Sequence, residues 1–440
     1  MMKNIKLNLK GIKTLLPIFI VLFVSRLLFG LCAEFWFEDE LQIYLIGLKF
    51  YTSGVWPYFG PDVVYTNSQI PGALQGLLTG LPFFVVNIPE APVVFLNIFT
   101  FSALIFFGWY IVKRLPQLPK WFVFSLVLTL PWVMNFSTHV INPSYVLPFS
   151  ILFFIGFFES VPNFSNRLIK LPLALFMMGF SAVSIMQLHL SWVLLIPYSL
   201  ISLFFVLRNT KRVMWMSLFS FFTGLLLGAI LIIPTFLNYG LYGTGGTESN
   251  LVFNPDNFKN ILTVLMRFLS LATYEIPYLL GGNTKERLDV VGGFPWIAPS
   301  AILLMIAGWL QIAFFLAAFF LKKNKSSEWS IMKILMMFTF ILVFVSFFFS
   351  VKGPSSHTFY IVLPIPLLYS FYCYAGFVVN FRYFKVTAAT AIVLSIILYS
   401  GLALYNYNTK SLYKDREKVE AAIENKDYKI LGLRRYDIKQ

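Results

Sequence analysis

The chain has 440 residues, of which 58% are hydrophobic and only 12% charged, with a formal net charge of +15 and a mean hydropathy of +0.76. No water-soluble core of this length carries such a composition, so lipid is the main solvent and an ordinary soluble enzyme is excluded. In a soluble chain the excess of Lys and Arg would point to nucleic acid. Here it falls between apolar runs as a topology signal, and no nucleic-acid partner is implied.

A spanning helix needs roughly 20 mostly apolar residues. Candidate stretches run over Leu15–Ala33, Pro92–Val112, Trp121–Asn135, Pro143–Phe158, Leu171–Gln187, Leu190–Leu207, Val213–Leu237, Ile297–Leu321, Ile331–Ser350, Phe359–Val379 and Val386–Tyr405. They predict an all-α, polytopic transmembrane helix bundle of eleven spans. The first run follows Lys3, Lys6, Lys10 and Lys13 but has no small-residue cleavage site after it, so it reads as a retained span. Lys and Arg then cluster at Lys113–Lys120, Arg167–Lys170, Arg208–Arg212, Lys322–Lys333 and Arg382–Lys385, which sets the amino terminus and these turns in the cytoplasm. On this threading all three histidines, and every acid before residue 406 except Glu159 and Glu328, share the opposite face. Residues 1–405 form the membrane domain, and 406–440 a short charged, solvated, partly helical tail outside the cell. No GxxxxGK, HExxH or CxxC occurs, and Cys32 and Cys373 stand without a partner at ligand spacing. No fixed-period repeat suggests duplicated transporter halves.

The first outer loop, 34–90, opens with Glu34-Phe-Trp-Phe-Glu38-Asp39-Glu40. Leu41, Tyr44, Leu45 and Leu48 follow at helical spacing, which predicts a helix lying flat on the outer leaflet. Its amino end carries Asp39 and Glu40, where the helix dipole favours ionised carboxylates. Neighbouring residues point about 100° apart, so one or two of the three acids would face a single site. The same acids would equally serve to cap and solvate the helix. The loop continues Trp56-Pro-Tyr-Phe-Gly-Pro-Asp62-Val-Val-Tyr65-Thr-Asn67-Ser-Gln69-Ile-Pro71-Gly72, a run of turn residues and amides that suits the rim of a pocket.

Asp39-Glu40 after the first span, the Tyr51–Pro61 stretch and Gln69-Ile-Pro71-Gly72 resemble the GT-C superfamily of membrane glycosyltransferases, specifically the group around the dolichyl-phosphate-mannose protein mannosyltransferases and the bacterial aminoarabinose transferase. The resemblance spans nearly the whole chain in architecture and about forty residues in motif. It implies a polyprenyl-phosphate-linked sugar donor, transfer on the outer face to a glycan, lipid or protein acceptor, and a bacterial inner membrane. It also implies Asp39 as catalytic base with Glu40 beside it, and Glu38, Tyr65, Asn67 and Gln69 lining the substrate site.

Further outer-face elements suit that site. His139-Val-Ile-Asn142 lies between spans three and four, Gln187-Leu-His189 between five and six, and Lys352-Gly-Pro-Ser-Ser-His357-Thr-Phe-Tyr360 between nine and ten. The last resembles the family's late element, in which a His or aromatic residue precedes a Pro-containing span. The chain departs from the family at Asn67, Ser68, Gln69 and Asn142, where acids or His are usual. No spacing indicates a metal set, so no cofactor is called and a divalent metal stays open. In the long outer segment 238–296, Asn254-Pro255-Asp256 makes a helix start, with Asn254 as cap, ahead of a stripe at Phe258, Ile261, Leu262, Leu265, Phe268 and Leu269. That predicts a second interfacial helix, which carries Arg267, flanked by glycines that would let the segment act as a lid. Arg267, Lys352 and His357, with Lys285 and Arg287 behind them, are the candidates for holding a phosphate; each also suits ordinary anchoring at headgroups. A flippase or transporter would place its essential polar groups near the bilayer midplane. A polysaccharide ligase or polymerase would lack the early acidic pair.

Overall fold

The computed structural model describes residues 9–33, 38–62, 69–162, 164, 167–240, 253–275, 280, 284–321, 326–350, 353–354 and 356–431. Almost everything described is helical. The helices are α1 (Leu9–Leu31), α2 (Glu38–Ser53), α3 (Leu74–Val85), α4 (Ala91–Arg114), α5 (Lys120–Thr129), α6 (Pro131–Ser137), α7 (Val146–Ser160), α8 (Leu171–Met186), α9 (Ile196–Leu207), α10 (Lys211–Ala229) and α11 (Ile233–Tyr239). They continue with α12 (Ile261–Ser270), α13 (Thr284–Gly293), α14 (Ala298–Phe320), α15 (Ser327–Ser346), α16 (Ser356–Phe359), α17 (Pro364–Cys373), α18 (Phe384–Tyr407) and α19 (Arg416–Glu424). One small antiparallel hairpin, β1 (Phe59–Asp62) with β2 (Gln69–Pro71), follows α2 and pairs Phe59 with Pro71 and Asp62 with Gln69.

Six helical stretches are long and apolar enough to cross a membrane: Ala91–Arg114, Leu190–Leu207, Lys211–Ala229, Pro295–Phe320, Ser327–Phe349 and the apolar part of Phe384–Glu424. Shorter apolar helices stand among them, including Leu15–Leu31, Val146–Ser160 and Leu171–Met186. The expected span Trp121–Asn135 is divided, because Leu130 turns extended before Pro131, which opens α6. Proline has no N–H to continue the α5 ladder and clashes with the preceding turn, so the chain restarts there. The run Phe359–Val379 likewise begins as short turns and becomes a regular helix only from Pro364.

At the end that carries the basic turns, Arg114 pairs with Glu159 at 2.5 Å, both side chains almost fully buried. The second Glu159 oxygen accepts the backbone N–H groups of Leu168 (2.8 Å) and Ile169 (3.2 Å), and the guanidinium lies over the rings of Tyr110 and Phe164. A charge buried at this depth requires such a full set of partners.

At the other end α2 and α3 cross closely. A Cβ on Gly47 would stand 2.7 Å from the Gly80 nitrogen, and one on Gly80 2.7 Å from the Gly47 carbonyl oxygen, so only glycine lets the backbones approach this far. The apolar face of α2 is not spread on lipid as its spacing suggests. Leu41, Tyr44, Leu45 and Leu48 are buried with Leu412, Val419, Ala422, Ile423 and Leu431 of the tail, in a cluster separate from the main core. Arg416 clasps Glu90 at 2.8 Å and Lys426 lies 3.3 Å from the centre of the Tyr51 ring. The tail through Leu431 is therefore docked on the first loop rather than solvated, because α19 has an apolar face of its own to bury.

The described part of the segment 238–296 holds the expected helix, α12, preceded by a 3₁₀ turn over Pro255–Asn260. Asn254 makes no side-chain cap there. Its backbone N–H donates to the Phe348 carbonyl, and the Asn257 amide donates to Phe347 at 2.7 Å, so the turn is tied to the end of α15 instead. The stripe is two-sided: Phe258 and Leu262 are exposed, whereas Phe268 and Leu269 are buried, together with Val264 from outside it.

Candidate functional site

The first loop supplies the frame. Glu38, Asp39 and Glu40 form the first turn of α2, where unpaired backbone N–H groups gather partial positive charge. Their side chains, and all of Tyr65, Asn67 and Lys352, lie outside the described residues, as do Gly243, Gly245, Gly246, Gly281 and Gly282 of the expected lid. Gln42, one turn into α2, accepts the Asp62 backbone N–H at 3.2 Å, and Gln69 donates to the Asp62 carboxylate at 3.0 Å. These bonds fasten the hairpin to α2. The hairpin in turn sits on the bundle: the Tyr58 carbonyl accepts from Gly72 N–H and from the Thr235 hydroxyl, and the Gln187 side chain packs directly on Gly72. Gln187 Nε2 donates to the Gly228 carbonyl at 2.8 Å, so this residue joins α8, α10 and the first loop. Its role is to seat the loop.

His189 opens the turn after α8. Its Nδ1 accepts the Ser191 backbone N–H at 3.1 Å, which leaves the ring proton on Nε2, and stands 2.7 Å from the Ser191 hydroxyl. The His357 ring lies edge-on at 6.4 Å between centroids, so two histidines far apart in sequence meet. Burial, and then the neighbouring His357, pull the His189 pKa down to about 3, and burial alone pulls His139 down to about 4. Both rings are therefore neutral at physiological pH.

His139 and Asn142 belong to the loop 138–145, which contains a cis peptide bond between Asn142 and Pro143. Asn97 donates to the Thr138 carbonyl and the carboxyl-terminal end of α1 packs against the same carbonyl at Gly30. Asn142 Oδ1 is buried without a hydrogen-bond partner. Beneath this loop Arg26 is 1% exposed, and it pairs with no acid among the described residues. It donates instead to the Ser137 hydroxyl (2.8 Å), the Leu128 and Ser137 carbonyls and Thr100. Tyr360 is buried against Phe136 at 5.3 Å and interacts electrostatically with Arg26.

In the remaining group the sequence reading named Arg267 and Arg287 but missed Glu275. Glu275, 7% exposed, follows α12 and keeps one carboxylate oxygen without any hydrogen-bond partner. Burial drives its pKa up to about 7, against the pull of Arg267 from α12 and Arg287 from α13. Its one signal in the sequence is a single acid in an otherwise uncharged run, Leu271-Ala-Thr-Tyr-Glu275-Ile-Pro-Tyr. Among the described residues no group of three or more His, Cys, Asp or Glu side chains is placed to hold a metal ion.

Comparison with protein-family models, curated proteins and solved structures finds no match to this chain. The site is therefore read from its own residues. Two groupings are in contact, Gln187 with the first-loop hairpin and His189 with His357, and two are linked by charge, Tyr360 with Arg26 and Glu275 with Arg267 and Arg287. The carboxylates of Asp39 and Glu40 lie outside the described residues.

Proposed function

We propose that the chain is a multi-pass glycosyltransferase of eleven spans, with its amino terminus in the cytoplasm of a bacterium and its site on the outer face of the inner membrane. It would move a sugar from a polyprenyl-phosphate donor to an acceptor. The observation that carries this reading is the acidic first turn of α2, fastened through Gln42, the hairpin and the docked tail to the end of the bundle where the histidines and Arg267 lie. A lipid-phosphate sugar already has a stable leaving group, so the protein need only activate the acceptor and neutralise the departing charge. Asp39, with Glu40 beside it, would accept the proton of the acceptor hydroxyl as its oxygen bonds to the anomeric carbon. The bond from that carbon to the phosphate oxygen breaks, the electron pair leaves with the lipid phosphate, and attack from the opposite side inverts the centre. Arg267, Lys352 and His357 would meet the added negative charge. His139, His189, Asn142, Tyr360 and Gln69 would shape the sugar or acceptor side, and the neutral rings of His139 and His189 suit hydroxyl groups better than anions.

The test is Asp39→Asn in isolated membranes given radiolabelled polyprenyl-phosphate sugars with several different sugars. Transfer falls by about 10²- to 10⁴-fold if Asp39 is the base. Undiminished transfer would overturn the assignment, and no transfer by the unaltered protein from any donor would overturn the reaction class.

A further inference from the structure

We propose that the cavity between α1, α18 and the tail takes one acyl chain of an anionic phospholipid, with the headgroup held at Lys414, and that this lipid keeps the tail docked. The proposal does not depend on the sugar-transfer reading above. α1 and α18 pack side by side, with the rings of Phe29 and Tyr399 5.4 Å apart. Near that contact a cavity of about 440 Å³ opens between the two helices, over residues 25–32 and 400–407. Cys32, Tyr407 and Tyr413 are part of its lining, so it reaches the tail turn Leu412–Lys414, where the Tyr407 and Tyr413 rings lie 4.9 Å apart. Leu28 and Leu404 also line it and are exposed, so it opens sideways, toward the hydrocarbon that surrounds a membrane helix.

Size and depth select the chain. Seven residues of helix rise about 10 Å, less than half of the roughly 30 Å hydrocarbon core, so the cavity lies within one leaflet. A methylene group takes about the room of a water molecule, roughly 30 Å³, and at that size a cavity of about 440 Å³ holds about fifteen carbons, one acyl chain. Water fills such a space poorly, because it needs several polar partners and the walls are mainly apolar. A prenyl chain long enough to cross both leaflets would find room here for only part of its length. Charge selects the headgroup. Lys414 directly follows Tyr413, is exposed, and makes no ion pair among the described residues. The acids around it are engaged: Asp415 pairs with Lys418 at 2.9 Å, and Glu90 with Arg416 at 2.8 Å. Lys410, just before the turn, adds a second positive charge. A cation at the mouth of an apolar cavity suits a lipid whose chain lies inside and whose net negative headgroup lies at the surface. Tyr413 belongs to both the cavity wall and the tail, so a chain packed against it would hold the tail in place.

The full chain in a non-ionic detergent is given a trace of phosphatidylglycerol that carries a photoreactive diazirine on one acyl chain. After illumination, mass spectrometry should find the label on residues 25–32 and 400–407, in excess over the exposed side of α10. Unlabelled phosphatidylglycerol should displace it at least about fivefold more effectively than phosphatidylcholine, the preference that one lysine near a headgroup gives. Lys414→Glu, at an exposed position, should remove that preference, and Ala403→Trp should fill the cavity and lower the labelling to the level of α10. Hydrogen exchange over 416–424 should be slower with phosphatidylglycerol than with phosphatidylcholine in the unaltered chain, and equal in Lys414→Glu. The labelling itself needs no variant, so a misfolded Ala403→Trp would not spare the proposal. Label no denser at the two segments than on α10 overturns the site. Displacement by both phospholipids alike overturns the anionic class, and displacement by farnesyl phosphate but by neither phospholipid assigns the cavity to a prenyl lipid and overturns the proposal as well. Tail exchange that ignores the lipid overturns its hold on the tail.

Discussion

Replacing Ile423 by Ala separates the two forces that could hold the tail on α2. Ile423 is 1% exposed within the cluster of Leu41, Tyr44, Leu45 and Leu48, and removing its buried methyl groups costs about 2–5 kcal/mol. The Arg416–Glu90 pair is the other candidate. Arg416 is 34% exposed, however, and an ion pair open to solvent is worth about 0–1 kcal/mol. Apolar contact should therefore dominate. At its lower limit, Ile423→Ala multiplies the undocked population about 30-fold, since each 1.4 kcal/mol is about a factor of ten. Hydrogen exchange followed by mass spectrometry on the full chain reads this out over two peptides, 416–424 and 41–51. Both should lose protection together in Ile423→Ala, because each covers the other's apolar face. Arg416→Ala should change them by less than about fivefold, and Glu424→Ala, at an exposed position, should change neither. If Ile423→Ala left 41–51 as protected as before, the tail would not be the cover of α2, and the account of how the acidic first turn is held would fail with it.

Acid should weaken the end of the bundle that holds His139 and His189. His139 and His189 are held below the ordinary value of 6.5, at about 4 and about 3, so the unfolded chain binds their protons first. Their contribution to stability is complete above about 6.5 and is lost as pH falls toward those lower values. Thermal unfolding in detergent at pH 7.5 and pH 5 should show the drop, and His189→Gln should make it smaller; an equal drop in that variant would refute the cause. At the basic end, Glu159→Ala leaves Arg114 buried without its counterion, and losing one partner of a buried pair costs about 3–5 kcal/mol. Arg114→Met combined with Glu159→Met should recover most of the unfolding midpoint, and a double variant no better than the single one would show that packing, not charge, was lost.

What the sequence made legible is what a period or a position along the chain encodes. The stripe Leu41, Tyr44, Leu45, Leu48 announces a helix, and α2 covers it. Pro255 announces a start, and a helical turn begins there, whereas Pro131 is legible as a break but lies inside one long apolar run that reads as a single span. Periodicity says only that a face is apolar, not what lies on it. Lipid and the tail would have selected the same four residues, and the matching face of α19, Val419, Ala422 and Ile423, is set among so many charges that it reads as solvated. Asn254 fails as a cap for a related reason. Its type suits the end of a helix, but the carbonyls left open at the end of α15 take its own N–H and the Asn257 side-chain amide, and that tertiary tie, set by packing, fixes the turn instead.

The candidate site divides along the same line. His189, His357, Arg267 and Tyr360 are conspicuous because polar residues beside long apolar runs are few, and sidedness alone gathers them. Their pairing is a different matter: His189 meets His357 across more than a hundred residues of chain, a contact no local pattern contains. Glu275 shows the limit most sharply. A carboxylate in solvent and one buried beside two arginines are the same letter, and the difference between them is desolvation, which depends on α14 lying against its backbone. Spacing draws attention to Glu38, Asp39 and Glu40, and nothing in it marks Glu275, whose burial only the packing of α14 brings about.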